Sequence, residues 1–380
     1  MHKNYHFLWL DGVFDDSTVH AFSSISPASN FWQKGFLNGL SDYGAKVAIV
    51  GYPAERVWPF GRFFVSKTKA SLLSGFDGAA TGYLNLLGIR WYSQYIALRK
   101  AALLQLSLQK DKSDYSVVFS CLESADEETP SIRVAKYMRK HFGIPWICIV
   151  ADGETPAGAD RYIYLPWSNF QSLSSLRKGI HIDGGIPFVF FNSQSAPDKG
   201  MVRGSRALMY MGALTEHGGV TELGHAFSRL EDQDVELWVC GRGSNSELER
   251  LAKLDSRIKL KGFVDAEELD RLANLAFAFV NPRPTKFKPN MLNYPSKLLH
   301  YLAYGKPVVS TFTDGMSPGY AGILVSAKDE SESGLTTAMR EVLDMQDEAY
   351  LEICCRVKSF NETHTWPYQV GRFLSWLGDE

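Results

Sequence analysis

The residues best suited to chemistry lie between positions 281 and 310. They read Asn-Pro-Arg-Pro, a loop, then Tyr-Pro-Ser-Lys-Leu-Leu-His-Tyr-Leu-Ala-Tyr-Gly-Lys-Pro-Val-Val-Ser. Ser296 can cap a helix that Pro295 introduces, and Gly305 closes it before the next apolar run. Leu298, Leu299, Leu302 and Ala303 fall on one face of that helix, and Lys297, His300 and Tyr304 on another. A helix start with free N–H groups and a lysine suits an anion, and phosphate is the natural ligand. Arg283, Lys286 and Lys288 lie in the loop that feeds it, and an arginine can bind two phosphate oxygens at once. A neutral His300 accepts one hydrogen bond, whereas a protonated one favours phosphate.

Three glycine turns precede this stretch. Met209-Tyr-Met-Gly-Ala-Leu-Thr-Glu-His-Gly-Gly-Val reads as a strand, a turn and a helix start. Gly212, Gly218 and Gly219 allow close approach of backbone to phosphate, with His217 inside the turn. Val239-Cys-Gly-Arg-Gly-Ser places Gly241 at another strand end, and Lys261-Gly-Phe-Val-Asp ends a third. Such turns are weak signals singly, because any tight strand-to-helix connection uses glycine.

Positioning these groups needs strands that alternate with helices. Strand-like runs are His6–Leu10, Lys46–Gly51, Val117–Cys121, Trp146–Val150 and Arg161–Leu165, then Ala207–Met211, Val235–Cys240, Ile258–Gly262, Ala276–Asn281 and Val308–Thr311. Helical patterns fit Asn30–Tyr43, Ile89–Gln109, Ser131–Phe142, Val220–Leu230, Ser246–Lys253, Ala266–Leu275 and Gly334–Met345. The chain therefore reads as an α/β protein of two Rossmann-like halves joined near Asn192–Gly200.

The passage from Asn-Pro-Arg to the Pro-Ser-Lys helix resembles the donor-site segment of retaining GT-B glycosyltransferases of the family 4 group, most closely its bacterial surface-polysaccharide branch. The resemblance covers most of the C-terminal half and, more faintly, the N-terminal half. It implies tandem Rossmann-like domains whose parallel sheets face across a cleft: residues 1–192 for the acceptor, and 200–358 for a nucleoside-diphosphate sugar. Residues 359–380, with a helix over Tyr368–Leu377, would cross back onto the first domain. The implied reaction moves a hexosyl-type sugar to a polysaccharide or lipid-linked acceptor with retention of configuration. It uses no metal and no cofactor: cations and helix termini stabilise the leaving diphosphate, which itself takes the acceptor proton.

Carried over position by position, the resemblance puts Gly212, His217, Gly218, Gly241, Ser296, Lys297 and His300 at the donor. Phe263 and Val264 meet the nucleobase edge. Lys297, Arg283 and Asp152 form the reacting centre, with Ser29, Asn30 and Glu154 on the acceptor side. The same residues have plainer uses: Ser29 and Asn30 as helix caps, Phe263 as core, Lys286 and Lys288 as solvated charges. Two departures matter. The family's arginine and lysine in the glycine turn are here Ala213 and His217, and its paired glutamates are Leu292 and His300. Neutralising a diphosphate therefore falls to Lys297 and the loop cations.

Composition bounds the rest. At 380 residues, 45% hydrophobic and 22% charged, the chain suits two globular domains, and a net charge of −2 argues against a general nucleic-acid binder. The sequence has no apolar run long enough to span a bilayer, and its start reads as a strand rather than a signal peptide. Cys121, Cys148, Cys240, Cys354 and Cys355 lack metal spacing and fit reduced thiols in the cytoplasm. Residues 50–112 carry nine Lys/Arg against three acids, interleaved with Trp, Phe and Leu. That mixture suits an anionic membrane surface, which would make the protein peripheral on the inner membrane face. Three alternatives compete. A homologue weakened at positions 213, 217 and 300 could serve as a sugar-binding or scaffold subunit of a polysaccharide assembly complex. A sugar-nucleotide epimerase has no need of the basic, aromatic segment, and a dehydrogenase would need an acid ending the next strand, where Gly262 and Phe263 stand.

Overall fold

Two parallel sheets, each with buried apolar side chains packed on it, organise the computed structural model. It describes residues 5–67, 71–108, 115–122, 128–152, 154–187, 206–329 and 331–378. The chain divides into one unit of residues 1–185 and 366–380, and a second of residues 186–365. The junction read near 192–200 lies outside the described residues, as do positions 68–70 and 109–112 of the basic segment.

In the first unit, β1 (Tyr5–Leu10), α1 (Asp16–Ala21), α2 (Pro27–Asp42), β2 (Lys46–Gly51), β3 (Phe64–Val65), β4 (Asp77–Ala80), β5 (Tyr83–Leu84) and α3 (Arg90–Leu108) follow in order. Then come β6 (Tyr115–Leu122), α4 (Pro130–Phe142), β7 (Trp146–Val150), β8 (Arg161–Tyr164), α5 (Trp167–Leu173) and β9 (Gly179–His181). The main sheet runs β4-β2-β1-β6-β7-β8-β9 and is parallel throughout, while β3 and β5 form a separate antiparallel ribbon. The strand order reverses between β1 and β6, the point at which open α/β sheets bind ligands.

The second unit continues with β10 (Ala207–Met211), α6 (Val220–Ser228), β11 (Glu236–Cys240), α7 (Ser246–Leu254), β12 (Ile258–Gly262), α8 (Ala266–Leu275), β13 (Ala278–Asn281), α9 (Lys288–Leu292) and α10 (Lys297–Leu302). It closes with β14 (Val308–Thr311), β15 (Leu324–Ala327), α11 (Glu332–Leu343) and α12 (Asp347–Glu362). Its parallel sheet runs β12-β11-β10-β13-β14-β15, reversing between β10 and β13. Every residue of β10 is buried, as a strand covered on both faces requires. The helices start on side-chain caps, Asn245 on the Leu248 N–H (2.8 Å) and Asp265 on the Glu268 N–H (2.9 Å). The last helix, α13 (Trp366–Gly378), belongs to the first unit, where Trp366 meets Trp32 edge-on (5.4 Å) and Phe373 meets Phe36 (5.3 Å).

Tyr301 fixes α10 to the end of β10. Its ring is fully buried and stacks on Phe279 (5.3 Å, 5°). Its hydroxyl donates to the Met211 carbonyl (2.7 Å) and accepts the Met211 N–H (3.1 Å). Tyr301→Phe should therefore leave two buried backbone groups unpaired and cost about 2 kcal/mol in urea unfolding. A loss below roughly 0.5 kcal/mol, the ordinary range for a neutral substitution, would contradict the clamp.

Candidate functional site

The second unit gathers its cations where its strand order reverses. Tyr210, buried near the end of β10, donates its hydroxyl to the Ala213 carbonyl (2.8 Å). Lys297 donates its ammonium to the same hydroxyl oxygen (2.9 Å) and lies over the Tyr210 ring at 4.7 Å. Gly212 leaves the room for it: a Cβ there would stand 2.0 Å from the Lys297 Nζ. Arg283, in the loop after β13, donates Nε to the Asn290 carbonyl (2.7 Å) and Nη2 to the Asn293 carbonyl (3.1 Å). It thereby holds the loop that leads into α10.

Burial first, and then the Arg283 charge, lower the Lys297 ammonium from its ordinary 10.5 to about 8. Among the described residues no carboxylate forms an ion pair with it. A desolvated cation beside a second cation is a site made for an anion, which would raise the lysine's proton affinity again. Lys286, by contrast, is paired with Glu222 (2.7 Å), and Lys288 is an exposed residue at the start of α9.

The glycine turn wraps this position. Gly212 N–H donates to the Cys240 carbonyl (2.9 Å), Leu214 N–H to the Arg242 carbonyl (2.9 Å) and Gly241 N–H to the Gly262 carbonyl (2.8 Å), so the ends of β10, β11 and β12 are laced together. Gly219 takes φ +73°, and a Cβ there would meet the Pro282 carbonyl oxygen at 1.7 Å. Only glycine fits that approach. Gly218 donates its N–H to the Thr215 hydroxyl (3.2 Å). His217 is exposed; its ring packs on Phe287 (4.2 Å between centroids), and its carbonyl accepts from the Asn290 amide (2.9 Å).

Two expectations need correction, and two alternatives narrow. Ser296 makes no side-chain cap, because its backbone is already helical. The helix it precedes has only six residues, so the local attraction for an anion comes from Lys297 and Arg283 rather than from a helix dipole. His300 is held below its ordinary range by burial, opposed by Asp270, which favours the neutral of its two forms, and its ring lies 5.9 Å from that of Tyr304. Phe263 is not core: it is 65% exposed, with the Arg242 guanidinium 3.9 Å above its ring. Val264 is half-buried and packs against the hydrophobic core.

The first unit has a pocket past the end of β1. It has a volume of about 240 Å³ and is lined by Asp11, Ser29, Asn30, Gln33, Arg90 and Gln94, among others. The helix cap is Ser26, whose hydroxyl accepts from the Ser29 N–H (3.2 Å). Asn30 neither caps α2 nor is free to offer its amide, since that amide holds the Phe14 N–H (2.9 Å) and carbonyl (3.0 Å). Gln33 donates to both Asp11 Oδ2 and Ser29 Oγ (3.1 Å each) and accepts from the Trp9 indole (2.6 Å). Gln94 is buried and its amide nitrogen has no hydrogen-bond partner. Asp152 lies half-buried just past β7 and Glu154 is exposed; neither lines this pocket. Sequence reading missed Asp11, Gln33, Arg90 and Gln94. The available signal was an acid directly after the first apolar strand.

Among the described residues no three His, Cys, Asp or Glu side chains are placed to share a metal ion. Residues 205–345 match the family model of the glycosyl transferases group 1. Sucrose-phosphate synthase from Thermosynechococcus elongatus superposes with a TM-score of 0.64 at 13% identity, covering 98% of both chains. A glycosyltransferase from Rickettsia africae gives 0.66 at 11%, covering 100% of both. HepE from Anabaena, solved in complex with UDP, gives 0.63 at 12%, over 98% of this chain and 100% of that one. No curated protein matches the chain by sequence. The fold is that of GT-B proteins, two tandem Rossmann-like units with parallel sheets, and the family match falls within the second unit.

Lys297→Met, which keeps the length of the side chain and removes its charge, should abolish nucleotide-diphosphate binding at pH 7. It should leave thermal stability unchanged or raise it by about 1 kcal/mol, as functional sites that hold buried charge do. In the native protein the folded lysine releases its proton near pH 8 while the unfolded one keeps it to 10.5, so stability should rise with pH across that window. Diphosphate affinity should fall over the same window, as measured by calorimetric titration. Destabilisation by Lys297→Met with binding intact would assign the lysine a purely structural role.

Proposed function

We propose that the protein is a glycosyltransferase that takes a sugar from a nucleoside-diphosphate donor held by the second unit. The observation that carries this reading is the Lys297–Tyr210 pair beside Gly212, with Arg283 next to it, at the reversal point of a nucleotide-type sheet. The bond between the anomeric carbon and the diphosphate oxygen breaks, and the charge left on the diphosphate is offset by Lys297 and Arg283. A departing phosphate oxygen takes the proton of the acceptor hydroxyl, which then bonds to the same face of the sugar, so configuration is retained without a metal or a protein base. Asp152 keeps the reading of a group that steadies charge near the sugar.

The exposed Phe263 ring under Arg242 offers a stacking surface for the base, and HepE's complex with UDP makes UDP-sugars the first donors to try. A hexosyl group and a glycan or lipid-linked acceptor complete the proposal. On this reading Asp11, held by Gln33 in the lining of the first unit's pocket, orients the acceptor hydroxyl.

The purified full chain, tested by thermal shift against UDP, GDP, CMP, ADP and dTDP, should respond to one of them, by about 2.7 kcal/mol at a hundredfold excess over Kd. Asp11→Asn should leave that shift intact and lower sugar transfer roughly a hundredfold, within the range of effects expected of a positioning group. No response to any nucleotide would favour the alternative, a sugar-binding or scaffold subunit without transferase activity.

A further inference from the structure

The first unit displays a surface that its fold does not explain. Asn85 is fully buried and ties two stretches of chain together. Its amide donates to the carbonyls of Arg56 (2.6 Å) and Arg62 (2.8 Å), its N–H to the Phe63 carbonyl (2.9 Å), and its own carbonyl accepts the Trp58 N–H (3.1 Å). The β3–β5 ribbon adds the pairing of Phe64 with Leu84. A buried polar knot thus holds residues 56–64 against residues 84–93.

What the knot presents outward is apolar. Trp58, Phe60, Phe63, Phe64, Leu87 and Ile89 are all exposed, Phe60 by 82% and Leu87 by 85%. These six lie on two short stretches that the knot ties together, and Trp58 meets Phe63 edge-on (6.1 Å). Such a gathering fits a contact surface, since single exposed apolar side chains are ordinary but grouped ones are not. Its charge is one-sided. Residues 56–67 and 84–100 hold Arg56, Arg62, Lys67, Arg90, Arg99 and Lys100 and no acid. The acid just upstream, Glu55, is buried and bound by Arg62 (2.5 Å) and the Ser23 hydroxyl. Arg56 and Lys67 are exposed beside the rings. Aromatic and aliphatic tips among cations, with no acid to repel phosphate, match an anionic bilayer: the tips enter the boundary between headgroups and acyl chains, and the cations meet lipid phosphates. No described helix is long and apolar enough to cross the membrane, so contact would be from one side.

We propose that this face docks on an anionic lipid surface. Arg90 follows Ile89 in the chain and also lines the pocket that contains Asp11 and Gln94. The pocket therefore borders the docking face, and the acceptor it takes is a headgroup carried in that bilayer, a consequence that rests on the transferase reading above.

Sedimentation of the full chain with phosphatidylcholine vesicles, with and without phosphatidylglycerol, tests the docking. Binding should require phosphatidylglycerol and weaken with added salt. It should fall roughly tenfold or more in Phe60→Glu/Leu87→Glu and in Arg56→Glu/Lys67→Glu, because each removes one of the two attractions. The nucleotide thermal shift should be unchanged in both variants, which also shows that they fold. Binding indifferent to lipid charge, no binding, or self-association that the apolar variant abolishes would each overturn the proposal. Vesicle binding in a chain that responds to no nucleotide would leave the docking face standing and remove only the acceptor consequence.

Discussion

The buried hydroxyl of Tyr301 is the contact on which the candidate site of the second unit depends. It satisfies both backbone groups of Met211 and so holds a six-residue helix against the last residue of the central strand. A helix that short has little stability of its own. Anchored by Tyr301 and by the buried Leu298, Leu299 and Leu302, it carries Lys297 to one place, above Gly212. Arg283 and Asn290 set the incoming loop from the other side, the first through carbonyls 290 and 293, the second through carbonyls 217 and 284. Packing therefore decides where the charge sits.

The charge is costly to keep there. A desolvated ammonium whose proton affinity has dropped to about 8, next to an arginine, destabilises the empty site. Such an arrangement makes sense where an anionic ligand supplies the missing counter-charge. The family that the sequence resembles carries an arginine and a lysine in this glycine turn. Here that turn presents Ala213 and His217, and the cations come from the loop and helix after β13. The phenol of Tyr210, pushed well up by burial, stays neutral and hydrogen-bonded, so it orients the lysine without neutralising it. The first unit's pocket has a different lining: among the described residues, the Asp11 carboxylate and the amides of Asn30, Gln33 and Gln94 accompany a single cation, Arg90.

Much of the second unit was legible because its central strands are buried, mostly apolar runs. Ala207–Met211 and Val308–Thr311 stand where their residue types place them. The exposed edge strand Ile258–Gly262 follows its alternating Ile-Lys-Leu-Lys pattern, and α8 spans the Ala266–Leu275 pattern. The strand Asp77–Ala80 was not legible: its small residues have no apolar period, and it is a strand only through pairing with β2. Helix α12 was missed because its apolar stripe is weak, although Tyr350, Ile353 and Val357 bury it. At the site, the spacing from Pro295 to Gly305 pointed to Lys297, since those residues lie on one local element. The pocket of the first unit joins residues from β1's end, α2, α3 and the start of α4, and no local pattern encodes that meeting. Asn30 and Ser296 were misread for the same reason: residue type predicts a cap, but only backbone conformation decides whether the side chain makes one.

Diffraction from crystals of the full chain grown with UDP tests the central claim most directly. The account predicts a diphosphate in contact with the Lys297 ammonium and the 212–219 turn, within about 3 Å, the distance of a charge-assisted hydrogen bond. A diphosphate bound instead in the Asp11 pocket, or elsewhere on the chain with Lys297 still turned to Tyr210 alone, would contradict it.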